Sequence, residues 1–389
     1  MLTPAKRKTK EYIFHPDAYY IWVIKMKRFI AGMAAALLAA VLFFPSKAHA
    51  ISAQKAILVD AQTGRVLYEK NADERALIAS TTKIMTALIV CEQCNVLDRM
   101  EIPKEAVGIE GSSIYLQEGE ILTIQELLYG LMLHSGNDAA VALAIYCGGT
   151  VEGFAELMND KAHRLGMNNT HFENPNGLDS PGHYSTAGDM ALLASHAMNN
   201  PIFAKTVSTK KVSISRRSLS NHNKLLWRLE GADGVKTGFT KASGRILVSS
   251  AVRQGRRLVA VTMNDPNDWQ DHISLIEDGF SRFEIKSIVY KGQCLGTTEI
   301  AGGQEGTVEL VSGEDFSYAV APGENIDIVL QGPGFVYAPV AQGQNAGYAY
   351  VCIDEQPVGK VQLVYGKTVE QEEEQKQSIL ERIFGRTKQ

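Results

Sequence analysis

Between Ala56 and Met263 the apolar residues of this chain change period twice, from alternating runs to helical spacing and back. Strand side chains repeat every two residues and helix side chains every 3.6, so this order dictates strands, then helices, then strands. Ala56-Ile57-Leu58-Val59-Asp60 and Arg65-Val66-Leu67-Tyr68-Glu69 flank Ala61-Gln62-Thr63-Gly64 and read as a β-hairpin. Helical spacing begins at Ser80, and Ile84, Leu88 and Cys91 share one side of Thr81–Cys91. A second helix opens at Thr123, where Glu126 completes a capping box, and runs through Leu127, Leu128 and Leu131. Ser135-Gly136-Asn137-Asp138 precedes a helical stretch over Ala139–Tyr146, and Val151–Leu165 and Thr186–Met198 are amphipathic helices. After Gly231–Gly234, Ile246–Val252 and Leu258–Met263 read as strands joined by a turn over Arg253–Arg257, and Asp271–Phe280 as a closing helix. The order implies an α+β fold, an antiparallel sheet with helices and an inserted helical region.

Beyond Glu284 the pattern changes. Residues 285–366 carry short Val/Ile/Tyr-rich runs separated by glycines and Pro-Gly turns, which predicts a small all-β domain behind a first domain of residues 51–284. The tail, 367–389, passes through acidic Glu370, Glu372, Glu373 and Glu374 to Ile379, Leu380, Ile383 and Phe384, with Arg382, Arg386 and Lys388 nearby. Such a stretch fits an amphipathic helix on a membrane surface and, equally, a solvated terminal helix or frayed tail.

Residues 1–50 hold eight Lys/Arg and two Asp/Glu, whereas the remaining chain is acidic. A body with that balance lacks the clustered cations that phosphate backbones require, which excludes nucleic acid as a main partner. Lys25, Lys27 and Arg28 precede Phe29–Phe44, a run of 16 residues without charge, and Ala48-His49-Ala50 follows. These are the three parts of a cleaved secretory signal peptide; the alternative is a retained membrane anchor, but the run is shorter than the ~20 apolar residues of a spanning helix. Met26-Lys27-Arg28 is the expected true start, and Ile51–Gln389 the exported chain. Export permits disulfides, but five cysteines cannot all pair within one chain. The lone Cys91/Cys94 pair closes a helix, has no second CxxC beside it and is expected to be two buried thiols. The nine histidines show no ligand spacing, so no metal site is expected.

Ser80-Thr81-Thr82-Lys83 places a lysine amine one helical turn from a serine hydroxyl. A serine is a weak nucleophile until a neighbouring base takes its proton, and a lysine can do so only when desolvation or a second cation keeps it neutral. SxxK alone carries little information: Ser52/Lys55, at the new N-terminus, and Ser208/Lys211, in a Lys/Ser-rich loop, match it too. Ser80 is distinguished by Ser135-x-Asn137 and Lys236-Thr237-Gly238, each unique in the chain, spaced 55 and 101 residues on in the order SxxK, SxN, KTG. That ordered set marks serine penicillin-binding proteins and class A β-lactamases.

Residues 51 to about 365 resemble the low-molecular-mass penicillin-binding D-alanyl-D-alanine carboxypeptidases. Besides the three motifs, the resemblance rests on Ala79–Leu88, His134–Ala140, Phe172–Leu178, His183–Asp189 and Asp233–Thr240. It implies a serine-transpeptidase/β-lactamase-like domain followed by a small β-domain, without metal or organic cofactor. Ser80 would be the acylated nucleophile, Lys83 its general base and Ser135 a proton relay to the departing D-alanine. Asn137, Lys236, Thr237 and Gly238 would bind substrate, and the backbone N–H groups of Ser80 and Phe239 would form the oxyanion hole. The implied partners are a peptidoglycan stem peptide ending in D-Ala-D-Ala, β-lactams as inhibitors, and a membrane surface at the tail. Three rivals stay open. A class A-like β-lactamase would use a glutamate such as Glu173 for deacylation. A non-turnover penicillin-binding sensor would stop at the acyl-enzyme, and a transpeptidase would differ only in its acceptor.

Overall fold

The computed structural model of the protein describes residues 50–373. Strands β1 (Lys55–Asp60) and β2 (Val66–Lys70) form the first hairpin, and a 3-10 turn (Ala79–Thr82) leads into helix α1 (Lys83–Gln93). Two short strands, β3 (Arg99–Glu101) and β4 (Ile121–Thr123), pair before α2 (Ile124–Leu133), α3 (Asn137–Gly148) and α4 (Val151–Leu165). Helices α5 (Ala187–Ala197) and α6 (Pro201–Ser208), the hairpin β5 (Lys211–Ile214)–β6 (Arg217–Ser220) and a single helical turn, α7 (Leu225–Arg228), follow. Strands β7 (Ala232–Thr240), β8 (Gly244–Arg253) and β9 (Arg256–Met263) then complete an antiparallel sheet of order β2-β1-β9-β8-β7, and α8 (Asp268–Arg282) closes this part.

Alternation along the strands sends side chains into two separate cores. Ile57, Val59, Ile246, Val248, Val259 and Val261 point toward the helical region, while Ala56, Leu58, Leu247, Ala251, Leu258 and Ala260 pack against Leu225 of α7, Leu229 just past its end, and Leu275 and Ile276 of α8. Residues Ile84 through Val90 of α1 are all buried, so this helix is enclosed on every side rather than lying on a surface. The Thr123 cap is reciprocal as expected, with Glu126 N donating to Thr123 Oγ1 at 3.2 Å and Thr123 N donating to Glu126 Oε2 at 2.8 Å. The α+β reading of this region holds, although the α-helix starts at Lys83 and leaves Ser80 in the 3-10 turn.

The rest of the described chain is all-β. β10 (Glu284–Val289) pairs with β13 (Phe316–Val320). β11 (Cys294–Ala301), β12 (Thr307–Ser312), β14 (Ile326–Gln331), β15 (Phe335–Tyr337), β16 (Asn345–Ile353) and β17 (Gln356–Tyr365) form a sheet of order β14-β16-β17-β12-β11-β15. Arg65, just past the first turn, reaches this part: its guanidinium bonds the Glu324 carboxylate and the Ala319 carbonyl, with the Phe283 and Tyr318 rings 5.0 and 5.4 Å away.

Two expectations are corrected. Cys94 is not a reduced buried thiol. It caps the C-terminus of α1, where its side chain meets the last turn of α3 and is disulfide-bonded to Cys147. Cys91, one turn earlier, stays a buried thiol whose pKa burial pushes up to about 12. Ser208 and Lys211 lie at the end of α6 and the start of β5, not in a loop. The signal peptide, the start at Met26 and the tail helix fall outside the described residues; among those described, no single helix is long and apolar enough to cross a membrane.

The disulfide joins the far ends of the two helices whose near ends carry the SxxK and SxN motifs, and closes 53 residues of sequence separation. A bond of that span contributes roughly 2–4 kcal/mol, largely by restricting the unfolded chain. Replacing Cys94 and Cys147 with Ser together is expected to lower the unfolding free energy by that amount in urea titration. An unchanged urea midpoint would contradict this assignment.

Candidate active site

The three motifs converge because β7, the free edge of the five-stranded sheet, runs directly against the 3-10 turn that carries Ser80. Gly238 makes that approach feasible: a Cβ there would sit 3.3 Å from Ile78 O and from Thr81 Cγ2. Phe239 follows it, 64% exposed at the mouth of the cleft. On the other side Gly177, at φ +86°, passes so close that a Cβ would lie 1.9 Å from Ala79 O. The turn that carries Ser80 is thus held between two backbones.

Lys83 is fully buried, and its Nζ lies 3.0 Å from Ser80 Oγ and 2.7 Å from Asn137 Oδ1 and also bonds the Asn176 carbonyl. Burial and, second, the Lys236 amine push its pKa well below the usual lysine range, while the Asp138 carboxylate opposes them. Two of its three neighbours are carbonyl oxygens, which can only accept. A neutral amine has two N–H groups and one lone pair. In that neutral form, which burial favours, the N–H groups go to Asn137 and Asn176, and the lone pair is left for the Ser80 hydroxyl.

Lys236 is 1% exposed, donates to the Thr237 carbonyl at 2.8 Å, and has no carboxylate partner among the described residues. Burial pushes its pKa down to about 7. Ser135, at the turn between α2 and α3, is held at φ 64°, a left-handed conformation that side chains of its kind seldom adopt. Its Oγ is buried without a protein hydrogen-bond partner. Ser80, Ser135, Thr237, Gly238, Phe239 and Arg245 all line one cleft of about 500 Å³. The sequence-predicted residues are therefore together: Ser80, Lys83 and Asn137 in direct contact, Lys236, Thr237 and Gly238 on the adjoining strand.

Several residues of the site were not singled out from sequence. Asn176 and Asp138 both lie inside stretches that carried the family resemblance, which was the available signal. Asp138, 1% exposed, accepts from the backbone N–H of Ile114 and Leu116 and from Ser113 Oγ, bracing the loop whose Ser112 carbonyl accepts from Asn137 N. Arg217 holds the same loop by donating to the Ile114 and Tyr115 carbonyls while paired with Glu120. His183 accepts from Glu173 N at Nδ1, so its Nε2–H donates to Thr82 Oγ1 at 2.7 Å; burial pushes its pKa down to about 4 and keeps it neutral. His222 is likewise lowered to about 4, by burial first and then by Lys236 and His134. The Glu173 carboxylate is occupied by the Ser180 hydroxyl rather than by Ser80 or Lys83, which removes the observation that favoured a β-lactamase. Among the described residues no cluster of His, Cys, Asp or Glu could hold a metal ion.

A family model described as D-alanyl-D-alanine carboxypeptidase matches residues 43–267, and one described as penicillin-binding protein 5, C-terminal domain, matches residues 283–371. The chain is 33% identical to the D-alanyl-D-alanine carboxypeptidase DacF of Bacillus subtilis over 76% of this chain and 80% of that protein. It is 32% identical to the D-alanyl-D-alanine carboxypeptidase DacC of Escherichia coli over 77% of this chain and 80% of that protein. Among solved structures it is similar to penicillin binding protein 5 from Haemophilus influenzae, with a TM-score of 0.73 and 29% identity over 83% of this chain and 98% of that one. A mutant of the Streptomyces K15 DD-transpeptidase superposes with a TM-score of 0.58 and 35% identity over 60% of this chain and 99% of that one.

The buried Lys236 also makes a stability prediction. Its folded pKa of about 7 lies below the ordinary 10.5, so between those values the unfolded chain binds a proton that the folded one does not. Stability from this group therefore rises with pH across that window, at roughly 1.4 kcal/mol per pH unit. Relative to Lys236→Met, the parent is expected to lose stability as pH falls from 10.5 to about 7. A pH-independent difference in urea unfolding between the two proteins would contradict the buried, depressed amine.

Proposed function

This chain belongs to the D-alanyl-D-alanine carboxypeptidase family, and from that premise we propose that Ser80, Lys83 and Ser135 carry out its reaction. The protein is a serine-type peptidase that removes the terminal D-alanine from peptides ending in D-Ala-D-Ala. The observation that carries the residue assignment is the contact set of Lys83, whose two carbonyl acceptors leave its lone pair for the Ser80 proton.

An extended peptide adds to the free edge of β7 by main-chain pairing, and Lys236 and Thr237 draw its terminal carboxylate into place. Lys83 takes the hydroxyl proton as Ser80 Oγ bonds to the carbonyl carbon of the penultimate D-alanine. The oxyanion is met by the N–H groups of Ser80 and Phe239, fixed donors in a water-poor site. Asn137 holds a substrate amide. Ser135 passes a proton to the departing amine, D-alanine leaves, and water then cleaves the Ser80 ester. Its unpartnered hydroxyl and its position on the cleft support that relay. β-Lactams, which mimic the D-Ala-D-Ala end, would acylate the same oxygen and stall.

Peptidoglycan stem peptides are the natural source of such ends, so the protein works outside the cytoplasm. The Cys94–Cys147 bond suits an oxidising compartment. We divide the chain into a leader, 1–50, a catalytic domain, 51–284, a β-rich domain, 285–366, and a tail, 367–389, that contacts the membrane peripherally.

Residues 51–389 are expected to release D-alanine from a diacyl-L-Lys-D-Ala-D-Ala tripeptide, and Ser80→Ala to lose at least ~10⁴-fold. Penicillin should add one adduct to the parent and none to the mutant by intact-mass measurement. Release by Ser80→Ala at the parental rate would overturn the assignment. The pH profile follows from the two amines: activity rises as Lys83 loses its proton and falls as Lys236 loses its own. The charged groups around Lys83 are Lys236 on β7 and Asp138 on α3, with neutral His183 opposite. Asp138 favours the charged form of Lys83, so Asp138→Asn is expected to move the acid limb to lower pH. A profile that only drops in height would show that Asp138 braces the loop and nothing more.

A further inference from the structure

Residues Ile326–Tyr337 of the β-rich part expose five large apolar side chains: Ile326, Val329, Leu330, Phe335 and Tyr337, the last two 54% and 72% accessible. Asp327 is the one charged residue in this stretch. It supplies β14 and β15, the two edges of the six-stranded sheet, joined by Gly332-Pro333-Gly334. The edges approach one another: a Cβ on Gly296 of β11 would lie 2.6 Å from Leu330 Cδ1, and β11 is also the strand that pairs with β15. Phe335 and Tyr337 stand on one face with their rings edge to face, 5.5 Å apart. Solvent-facing aromatic pairs on a nearly uncharged edge are what soluble surfaces ordinarily avoid, and such patches mark contact surfaces.

The end of the chain identifies the partner. Tyr337 is in register with Ala301, and the next residue, Gly302, accepts at its carbonyl from Glu372 N at 2.9 Å. Gln304 N donates to Glu370 O nearby at 3.0 Å. The chain thus passes its last described residues beside the exposed aromatics. Sixteen residues follow, with Ile379, Leu380, Ile383 and Phe384 among Lys376, Arg382, Arg386 and Lys388, against two acidic residues, Glu374 and Glu381. An apolar-basic sequence leaving next to a Phe/Tyr edge is the composition of a lipid-interface contact, where aromatic rings sit at headgroup depth.

We propose that the β14–β15 edge rests on a lipid surface through Phe335 and Tyr337, forming a second membrane contact beside the tail. The proposal extends the peripheral membrane reading of the tail. The two contacts differ in physical kind. Glu299 is in register with Phe335, and the segment of Glu370 and Glu372 is bonded beside this edge, so the edge binds by apolar burial and resists salt, whereas the basic tail's attraction to anionic lipid is screened.

The test is flotation of residues 51–389 with phosphatidylglycerol-containing and with pure phosphatidylcholine vesicles, at low salt and at roughly 1 M salt. Phe335→Ser with Tyr337→Ser is compared with the parent and with Ile379→Ser plus Phe384→Ser. The edge variant is expected to lose about tenfold in binding to both vesicle types at high salt, while its D-alanine release is unchanged. Loss of D-alanine release in the edge variant would place these aromatics in catalysis and overturn the proposal. So would flotation of the edge variant at the parental level in high salt, or failure of the parent to float. A parental dimer in sedimentation that the edge variant loses would replace the lipid surface with a second copy of this chain.

Discussion

Everything in the catalytic part depends on removing one amine from water. Lys83 opens a helix that is buried from there to Cys91, and its own side chain is fully buried. In that setting the charged form is the costly one, and a second buried amine 153 residues along, Lys236, makes it costlier still. Two carbonyl oxygens take up the N–H groups of the neutral form, so neutrality leaves no donor unsatisfied. Burial thus favours the neutral amine, the form that a general base needs.

The surrounding architecture holds this amine against its partners from several directions. The disulfide fixes α1 to α3 at the ends remote from the motifs, so the near ends are set by helix rigidity. The Asp138 carboxylate and the Arg217 guanidinium immobilise the loop that Asn137 leans on. Gly238 lets β7 lie on the Ser80 turn without a side chain between them, and β7 keeps an unpaired outer edge. Precision of this kind matters because a misplacement of about 1 Å can cost on the order of 10²-fold in rate.

Much of this was legible in sequence because the signals are local or ordered. The hairpin at Ala61–Gly64, the Thr123 capping box and the helix over Val151–Leu165 each declare themselves within a few residues. The catalytic motifs were recognisable from their order, since chance SxxK matches such as Ser52/Lys55 lack the company of SxN and KTG. What stayed hidden depends on long-range contact. The Asn176 backbone carbonyl reaches Lys83 from 93 residues away, and a carbonyl carries no residue signature. Cys94 finds Cys147 rather than Cys91 because helix packing, not spacing, brings the two sulfurs together. The helix Pro201–Ser208 and the β5–β6 hairpin are short, polar at their surfaces and stabilised by their neighbours more than by their own pattern.

The protonation state of Lys83 is the claim on which the mechanism stands, and the Ser80 proton reports it directly. Neutron diffraction from perdeuterated crystals near neutral pH would locate both. The expected result is a Lys83 amine with two deuterons, directed at Asn137 Oδ1 and the Asn176 carbonyl, and a Ser80 deuteron directed at Nζ. Three deuterons on Nζ, with one donated to Ser80 Oγ, would contradict it and require another base for the nucleophile.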